Sequence, residues 1–404
     1  MGARLRITGI HQVTRPHLEA TMGHDDDRAF VAERQIGRIN TFFPILPRLG
    51  NKWAATRPWE GMTIGVNMHL TTLTAALLRE LSLGGGTFVV SACNPATTDK
   101  GTVDLLRNLG MDVYTGGDGK DRHRQVLSHS PDLLVDVGFE LIRAALSQPE
   151  GIRGAIEVTR SGITRLRASE EVPFPVVNIN DGRLKDAIEN RHGVGEAIWS
   201  AVGRLTGMHL AGRRCVVVGY GPVGKGLALY GRNAGMAVEV VESDPVRRLF
   251  AHYDGFPTPS LERSFQRAGV VVTATGRSAS VTVEALRQAR DGIILLNAGH
   301  GGDEIDVRAI ADAAETVDNI ADQVVRYRLQ DGPRVTVLGD GHPLNIVLNN
   351  GSPEPVLLHF AVLGMALERL AGGLDATGEV PVDEELEAEA ALLALECLLP
   401  EGTA

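Results

Sequence analysis

An α/β fold is predicted for this chain: two doubly wound parallel sheets in two Rossmann-like domains, a cleft between them, and helices at the C-terminus. Three observations carry that expectation. Short apolar runs alternate with helical stretches along most of the 404 residues, the pattern of parallel strands covered by helices on both faces. The alternation comes in two series that meet near residues 186–191. The second series contains a strand that runs directly into a glycine-rich turn, VVVGYGPVGKG at 216–226.

Taken in order, the first 60 residues offer one helix candidate, AFVAERQIGRINTFFPILPRL at 29–49. MTIGVNM (62–68) reads as a strand and LTTLTAALLREL (70–81) as a helix. GTFVVSA (86–92) is the next strand, followed by the helix DKGTVDLLRNLG (99–110) with glycine at its close. DLLVDVG (132–138), GAIEV (154–158) and FPVVNIN (174–180) continue the strand series. The second series opens with the helix HGVGEAIWSAVGRLTG (192–207) and the strand RRCVVVGY (213–220). A helix through Asn233 follows, then the strands AVEVVES, GVVVTAT, GIILLNA and RVTVLGD. The stretch 383–399, DEELEAEAALLALECLL, is an acidic amphipathic helix. The resulting division is residues 1–185 with 350–372, residues 190–347, and a tail over 373–404.

Gly219, Gly221 and Gly224 give G-x-G-x-x-G between a strand and a helix. The first allows a tight turn, the second lets backbone approach a pyrophosphate, and the third lets helix and strand pack closely. Pro222 and Val223 open the helix, where a missing N–H costs nothing. Its N-terminus then offers free amides to phosphate. An acid is expected after the next strand. Glu242 fits best and Asp244 second; a carboxylate there binds the ribose 2′-hydroxyl of NAD and repels the 2′-phosphate of NADP.

Other classes are disfavoured. The formal net charge is −10 without a basic run, which argues against nucleic acid and anionic membranes as partners. Three dispersed cysteines form no CxxC or Cys/His ligand spacing, so no metal site is expected and a reduced, cytoplasmic setting fits. No secretory h-region and no run of eighteen apolar residues is present. Lys185 and Glu189 are four apart and share a helical face; spacing alone makes them an ordinary ion pair.

The segments NINDGRLKDAIENRHG, VVVGYGPVGKG, VVESDP, LLNAGH and VVRYRLQDGPRVTVLGDGHPLN together resemble the S-adenosyl-L-homocysteine hydrolase family. MHLTTLTAALLREL, SACNPATTD, LLVDVG and IEVTRSGITRL extend the likeness over roughly residues 30 to 365. The resemblance implies a borrowed NAD: the ribose 3′-hydroxyl is oxidised, the C4′ proton becomes acidic, the 5′ thiol is eliminated, water adds, and the ketone is reduced again. It makes the first domain substrate-binding and the second NAD-binding. It implies catalytic roles for His69, Asp136, Lys185, Glu189 and His300, with Asp136 in proton transfer, Lys185 beside the 3′-hydroxyl and His300 near the leaving group. Thr71, Asn180 and Asn190 fall to the substrate, and Thr159, Thr275, Asn297 and Asn345 to the cofactor. It further implies a small nucleoside substrate and a homo-oligomer, dimer or tetramer.

The chain also departs from the family pattern. Leu73 stands where the family has an acidic or amide residue against the adenine amino edge. Val158 replaces an acid at a ribose hydroxyl, Glu189 an aspartate, Val194 a cysteine and Ser352 a histidine, and Arg160 enters the threonine run. The C-terminus, ECLLPEGTA, lacks the family's Lys/Tyr-bearing tail. Three readings follow. The first is a hydrolase, or reverse-direction synthase, of S-adenosylhomocysteine or a related 5′-substituted nucleoside. The second is a nucleoside oxidoreductase, epimerase or carbon–carbon bond-forming enzyme, and the third a non-catalytic NAD-binding regulator.

Overall fold

The computed structural model describes residues 24–169, 171–299, 303–349 and 351–399. The first body supplies strands β1 (Thr63–Met68), β2 (Thr87–Ala92), β3 (Asp112–Tyr114), β4 (Leu133–Asp136), β5 (Gly154–Glu157) and β6 (Pro175–Asn178). The second supplies β7 (Arg214–Val218), β8 (Ala237–Val241), β9 (Val270–Thr273), β10 (Ile293–Asn297), β11 (Ala314–Ala321), β12 (Val324–Leu329) and β13 (Arg334–Leu338). A last strand, β14 (Gly378–Pro381), returns to the first body.

Two seven-stranded sheets result. The first runs β14-β6-β5-β4-β1-β2-β3, with every pair parallel. The second runs β11-β12-β13-β10-β9-β7-β8, parallel from β13 to β8 with an antiparallel edge at β11 and β12. Both are buried on two faces, as parallel sheets must be. In the first, Val90, Val135, Ile156 and Val177 join Leu363 and Leu367 in one core. Their neighbours Val89, Leu134, Ala155 and Val176 point the other way into a second. The second sheet divides likewise, with Val217, Val272 and Leu296 on one face and Val216, Val271 and Leu295 on the other.

Several elements differ from their sequence-based expectation. The helix expected over 29–49 is two helices, His24–Phe42 and Ile45–Thr56. Pro44 separates them, because proline lacks an N–H and pushes the preceding residue out of the helical region. The helix expected from residue 192 begins earlier, as a π-helix over Lys185–Gly193 that continues into the α-helix Val194–Thr206. This junction carries the chain from one sheet to the other. The acidic tail is built into the first body. β14 pairs with β6, and the helix Glu384–Leu398 buries Leu386, Ala390 and Ala394 in the first core. Among the described residues no helix is long and apolar enough to cross a membrane.

Candidate active site

The site residues of the first body gather at the carboxyl ends of its strands, where open α/β sheets bind ligands. A row of polar side chains runs across those ends in register: Ser91, Asn67, Asp136, Glu157 and Asn178. All are buried. Ser91 Oγ donates to Asn67 Oδ1 at 3.0 Å, and Asn67 Nδ2 donates to Asp136 Oδ1 at 2.8 Å. The second oxygen of Asp136 accepts the Ile142 N–H at 2.8 Å. The carboxylate that the resemblance assigns to proton transfer is therefore enclosed, with both oxygens on protein donors. Glu157 accepts the N–H groups of Gly138, Phe139 and Thr159 and the Thr159 hydroxyl. Burial pushes both carboxyls up, and the Asp136 charge pushes Glu157 further.

This row fixes the loops that follow each strand. His69, just past β1, has Nδ1 at 2.7 Å from Thr97 Oγ1. Thr71 caps the helix Thr72–Ser82 and Thr159 caps the helix Arg160–Arg167. Asn180 is buried, with Nδ2 donating to Asp181. Arg160, the basic entry in the threonine run, lies 3.6 Å from both Asp181 and Asp186 and is half exposed.

The second body presents the dinucleotide loop at the end of β7. Gly219 has φ +99°, and a side chain on it would press on the Ala274 carbonyl. A Cβ on Gly224 would overlap the Gly219 carbonyl, whereas one on Gly221 would meet nothing closer than Arg247, at 3.8 Å. The middle glycine thus faces open space at the start of the helix Pro222–Asn233, which has no side-chain cap. Glu242 accepts the Tyr220 N–H at 2.7 Å and the Asp244 N–H at 2.9 Å. Asn297 is fully buried, its amide donating to the Gly299 and Gly341 carbonyls and its oxygen accepting from Thr273 and Gly299; it locks the loops after β10 and β13 together. Thr275 bonds the buried Glu304 through both N–H and hydroxyl. Asn345 Oδ1 is buried without a hydrogen-bond partner among the described residues. An orphaned carbonyl, an open glycine and a bare helix N-terminus fit a dinucleotide with a carboxamide end.

Lys185 and Glu189 lie between the two bodies on the π-helix, with side chains 11% and 13% exposed, and contact each other closely. π-Helical turns recur at functional sites. The glycine-loop helix packs directly on this segment. A Cβ on Gly226 would overlap the Arg191 carbonyl, and one on Gly195 would fall 2.8 Å from Gly226 backbone. Asn190 sits half-buried on the same π-helix. Asn349 bridges the bodies by accepting from the Thr72 N–H and donating to its hydroxyl. His300 lies outside the described residues. A cavity of about 430 Å³ beside His192, Glu196, Tyr230 and Ser352 is lined, among the described residues, by none of the expected catalytic ones.

The residue pattern alone does not single out His359. It interrupts the apolar run VLLHFAVLGMAL on the helix Pro353–Ala371, is 2% exposed, and places Nδ1 3.3 Å from Glu189 Oε2. Nor does the pattern single out Asn67 and Asn178, whose meaning depends on strand register.

Two Rossmann-type sheets, a dinucleotide loop and a partly buried lysine–carboxylate pair at their junction define an NAD-dependent enzyme of two α/β domains. Residues 190–351 match the family described as S-adenosyl-L-homocysteine hydrolase, NAD binding domain. The chain is 33% identical over 371 residues to an S-inosyl-L-homocysteine hydrolase of Methanopyrus kandleri, covering 88% of each chain. It is 32% identical to an adenosylhomocysteinase of Pyrococcus abyssi, covering 83% of this chain and 82% of that one. It is 34% identical to an adenosylhomocysteinase of Archaeoglobus fulgidus, covering 84% and 86%. The chain belongs to the S-adenosyl-L-homocysteine hydrolase family.

Proposed function

We propose that the chain hydrolyses, or in reverse synthesises, S-adenosylhomocysteine or a close 5′-thio-substituted nucleoside such as S-inosylhomocysteine. The observation that carries this reading is the enclosed Lys185–Glu189 pair, packed backbone to backbone with the glycine-loop helix. That packing fixes an amine relative to the cofactor loop. NAD⁺ held at this loop would supply the acceptor for the ribose C3′ hydride and the donor for its return. Lys185, once it has given up its ammonium proton, takes the 3′-hydroxyl proton, and Glu189 balances the charge that returns. With a ketone at C3′ the C4′ proton is acidic, and its transfer to His69 expels the 5′ thiolate. His69, braced by Thr97, and His300 carry protons on the 5′ side. The thiolate leaves as homocysteine, water adds at C5′, and a nucleoside remains. Asp136 acts from behind, holding Asn67 and the loop after β4.

Leu73 and Val158 offer no hydrogen bond to base or ribose, which supports a substrate read differently from S-adenosylhomocysteine alone. An assembly of like chains is supported by Val246, Leu249, Phe250 and Tyr253, an exposed apolar stripe on the helix Pro245–Tyr253.

The test is thiol release from S-adenosyl- and S-inosyl-homocysteine by the NAD-loaded protein. Lys185→Met is expected to lower kcat by roughly 10²–10⁴-fold while NAD still binds. NADH build-up with no thiol from either nucleoside would instead favour the second reading, 3′-oxidation put to another use, which the altered ribose contact at Val158 supports.

A further inference from the structure

His359 is a costly residue where it stands. Its neighbours Leu357, Leu358, Phe360 and Ala361 are all apolar and buried. Among the described residues neither of its ring nitrogens has a hydrogen-bond partner. A buried polar group left in that state is destabilising, and an apolar residue of similar size would avoid the penalty. What distinguishes the position is what it faces. Nδ1 lies 3.3 Å from Glu189 Oε2, and the same oxygen meets the Lys185 ammonium. Among the described residues His359 makes no other ion contact; its remaining ring contact is with Phe360, at 5.3 Å between centroids.

Burial, and then the Lys185 charge, hold the imidazole well below its usual range. The ring is thus neutral, with one N–H and one lone pair. A lone pair on Nδ1 would face the Glu189 carboxylate and be repelled. The favourable tautomer carries its proton on Nδ1 and points it at Glu189. The present angle misses a hydrogen bond, and such contacts commonly tighten when a ligand closes the site.

We propose that His359 is a positioning residue for the reaction: it donates Nδ1–H to Glu189, and so fixes the carboxylate that holds Lys185. The inference rests on the role given above to Lys185. In this arrangement Glu189 is gripped from two sides, by an ammonium on its own helix and by an imidazole from the helix Pro353–Ala371. Glu189 is one methylene longer than the family's aspartate and has more torsional freedom to lose; a second donor removes that freedom. The histidine and the longer acid are parts of one device, and a charge on Lys185 always has its counterion in place when the 3′-hydroxyl proton moves.

The experiment compares His359→Leu, His359→Asn, Glu189→Gln, His359→Leu with Glu189→Gln, and Lys185→Met in the NAD-loaded protein. Leucine keeps the volume and removes the donor; asparagine restores an N–H near Nδ1. His359→Leu is expected to lower kcat about 10-fold or more, with KM and NAD affinity little changed, and to displace a limb of the pH–kcat profile. His359→Asn recovers most of the activity. In the Glu189→Gln background the leucine substitution costs little further, because residues that act through one another are non-additive. ¹⁵N spectra of histidine-labelled protein, assigned by loss of a signal in His359→Leu, show a neutral Nδ1–H tautomer. The inference is overturned if His359→Leu leaves kcat and its pH profile unchanged, if its effect adds in full to that of Glu189→Gln, or if the ring is protonated on Nε2. Should Lys185→Met itself keep full activity, the reading of Lys185 falls instead, and the two failures are told apart.

Discussion

Leu73 is the residue at which substrate choice is most open to test. It lies buried in the first turn of the helix Thr72–Ser82, at the position that the resemblance sets against the base. A leucine there is indifferent to a 6-amino or a 6-oxo group. A carboxylate accepts from an amino group and repels a carbonyl oxygen. Leu73→Glu is therefore expected to raise the kcat/KM ratio of S-adenosyl- to S-inosyl-homocysteine about 10-fold or more. Parallel thiol-release assays measure it, and an unchanged ratio would remove Leu73 from base recognition. At this scale sequence is a partial guide. Lys185 and Glu189 could be paired from their spacing, but spacing could not say that they are enclosed. His359 was not legible at all, because nothing within its own helix marks it; only the approach of the π-helix does. Asp136 was named only through the family resemblance, and its enclosure by Asn67 and Ile142 is set by the β1–β4 register.

Among the elements, the glycine loop makes two substitutions of the same kind behave differently. Gly221 has ordinary negative φ and open space where a Cβ would go. Gly221→Ala should fold and melt like the parent but lose NAD affinity by an order of magnitude or more, since the methyl fills the place of the pyrophosphate. Gly224→Ala drives a methyl into the Gly219 carbonyl and should cost about 1–3 kcal/mol of stability before any ligand is added. Thermal melts and NAD titrations of the two proteins separate these effects, and equal melting points would contradict the packing described. The loop could be read from sequence because its chemistry is local: strand, three glycines, helix, acid. The same holds for strands such as β4 and β7, whose apolar runs need no partner to be recognised. β3 has only three residues and β11 is exposed over most of its length, so neither carries an apolar signature. β14 contains Pro381 and becomes a strand by pairing with β6, some two hundred residues away. The π-helix was legible only as a helix, since its register depends on the glycine-loop helix lying against it.

For the molecule as a whole, response to acid is set by buried groups of opposite sense. His123 is 5% exposed; among the described residues its Nε2 has no hydrogen-bond partner and lies 3.9 Å from Glu140 Oε2. Burial, then Arg122 and Arg143, bring it down to about 4. His359 is lowered by burial and Lys185. In the unfolded chain both titrate near 6.5. As pH falls below that value the unfolded state takes up protons that the folded state refuses, so folding stability falls, by up to ~3 kcal/mol for His123 alone at its folded value. Asp136 and Glu157 work the other way. Their folded values are raised by burial, so the folded state holds protons that the unfolded state has released, and stability rises as pH falls toward the ordinary carboxylate range. The two sets offset each other between about pH 6.5 and 4, and the intact protein should show a flatter profile than either set alone would give. His123→Gln removes one histidine share and leaves the carboxyls in place. Between pH 7.5 and pH 5 it should therefore gain roughly 2 kcal/mol relative to the parent. Urea unfolding of both proteins at the two pH values measures that difference. Parallel profiles would mean that His123 accepts its proton as readily in the folded chain as in the unfolded one, and that the enclosure of this corner of the first body is looser than its geometry requires.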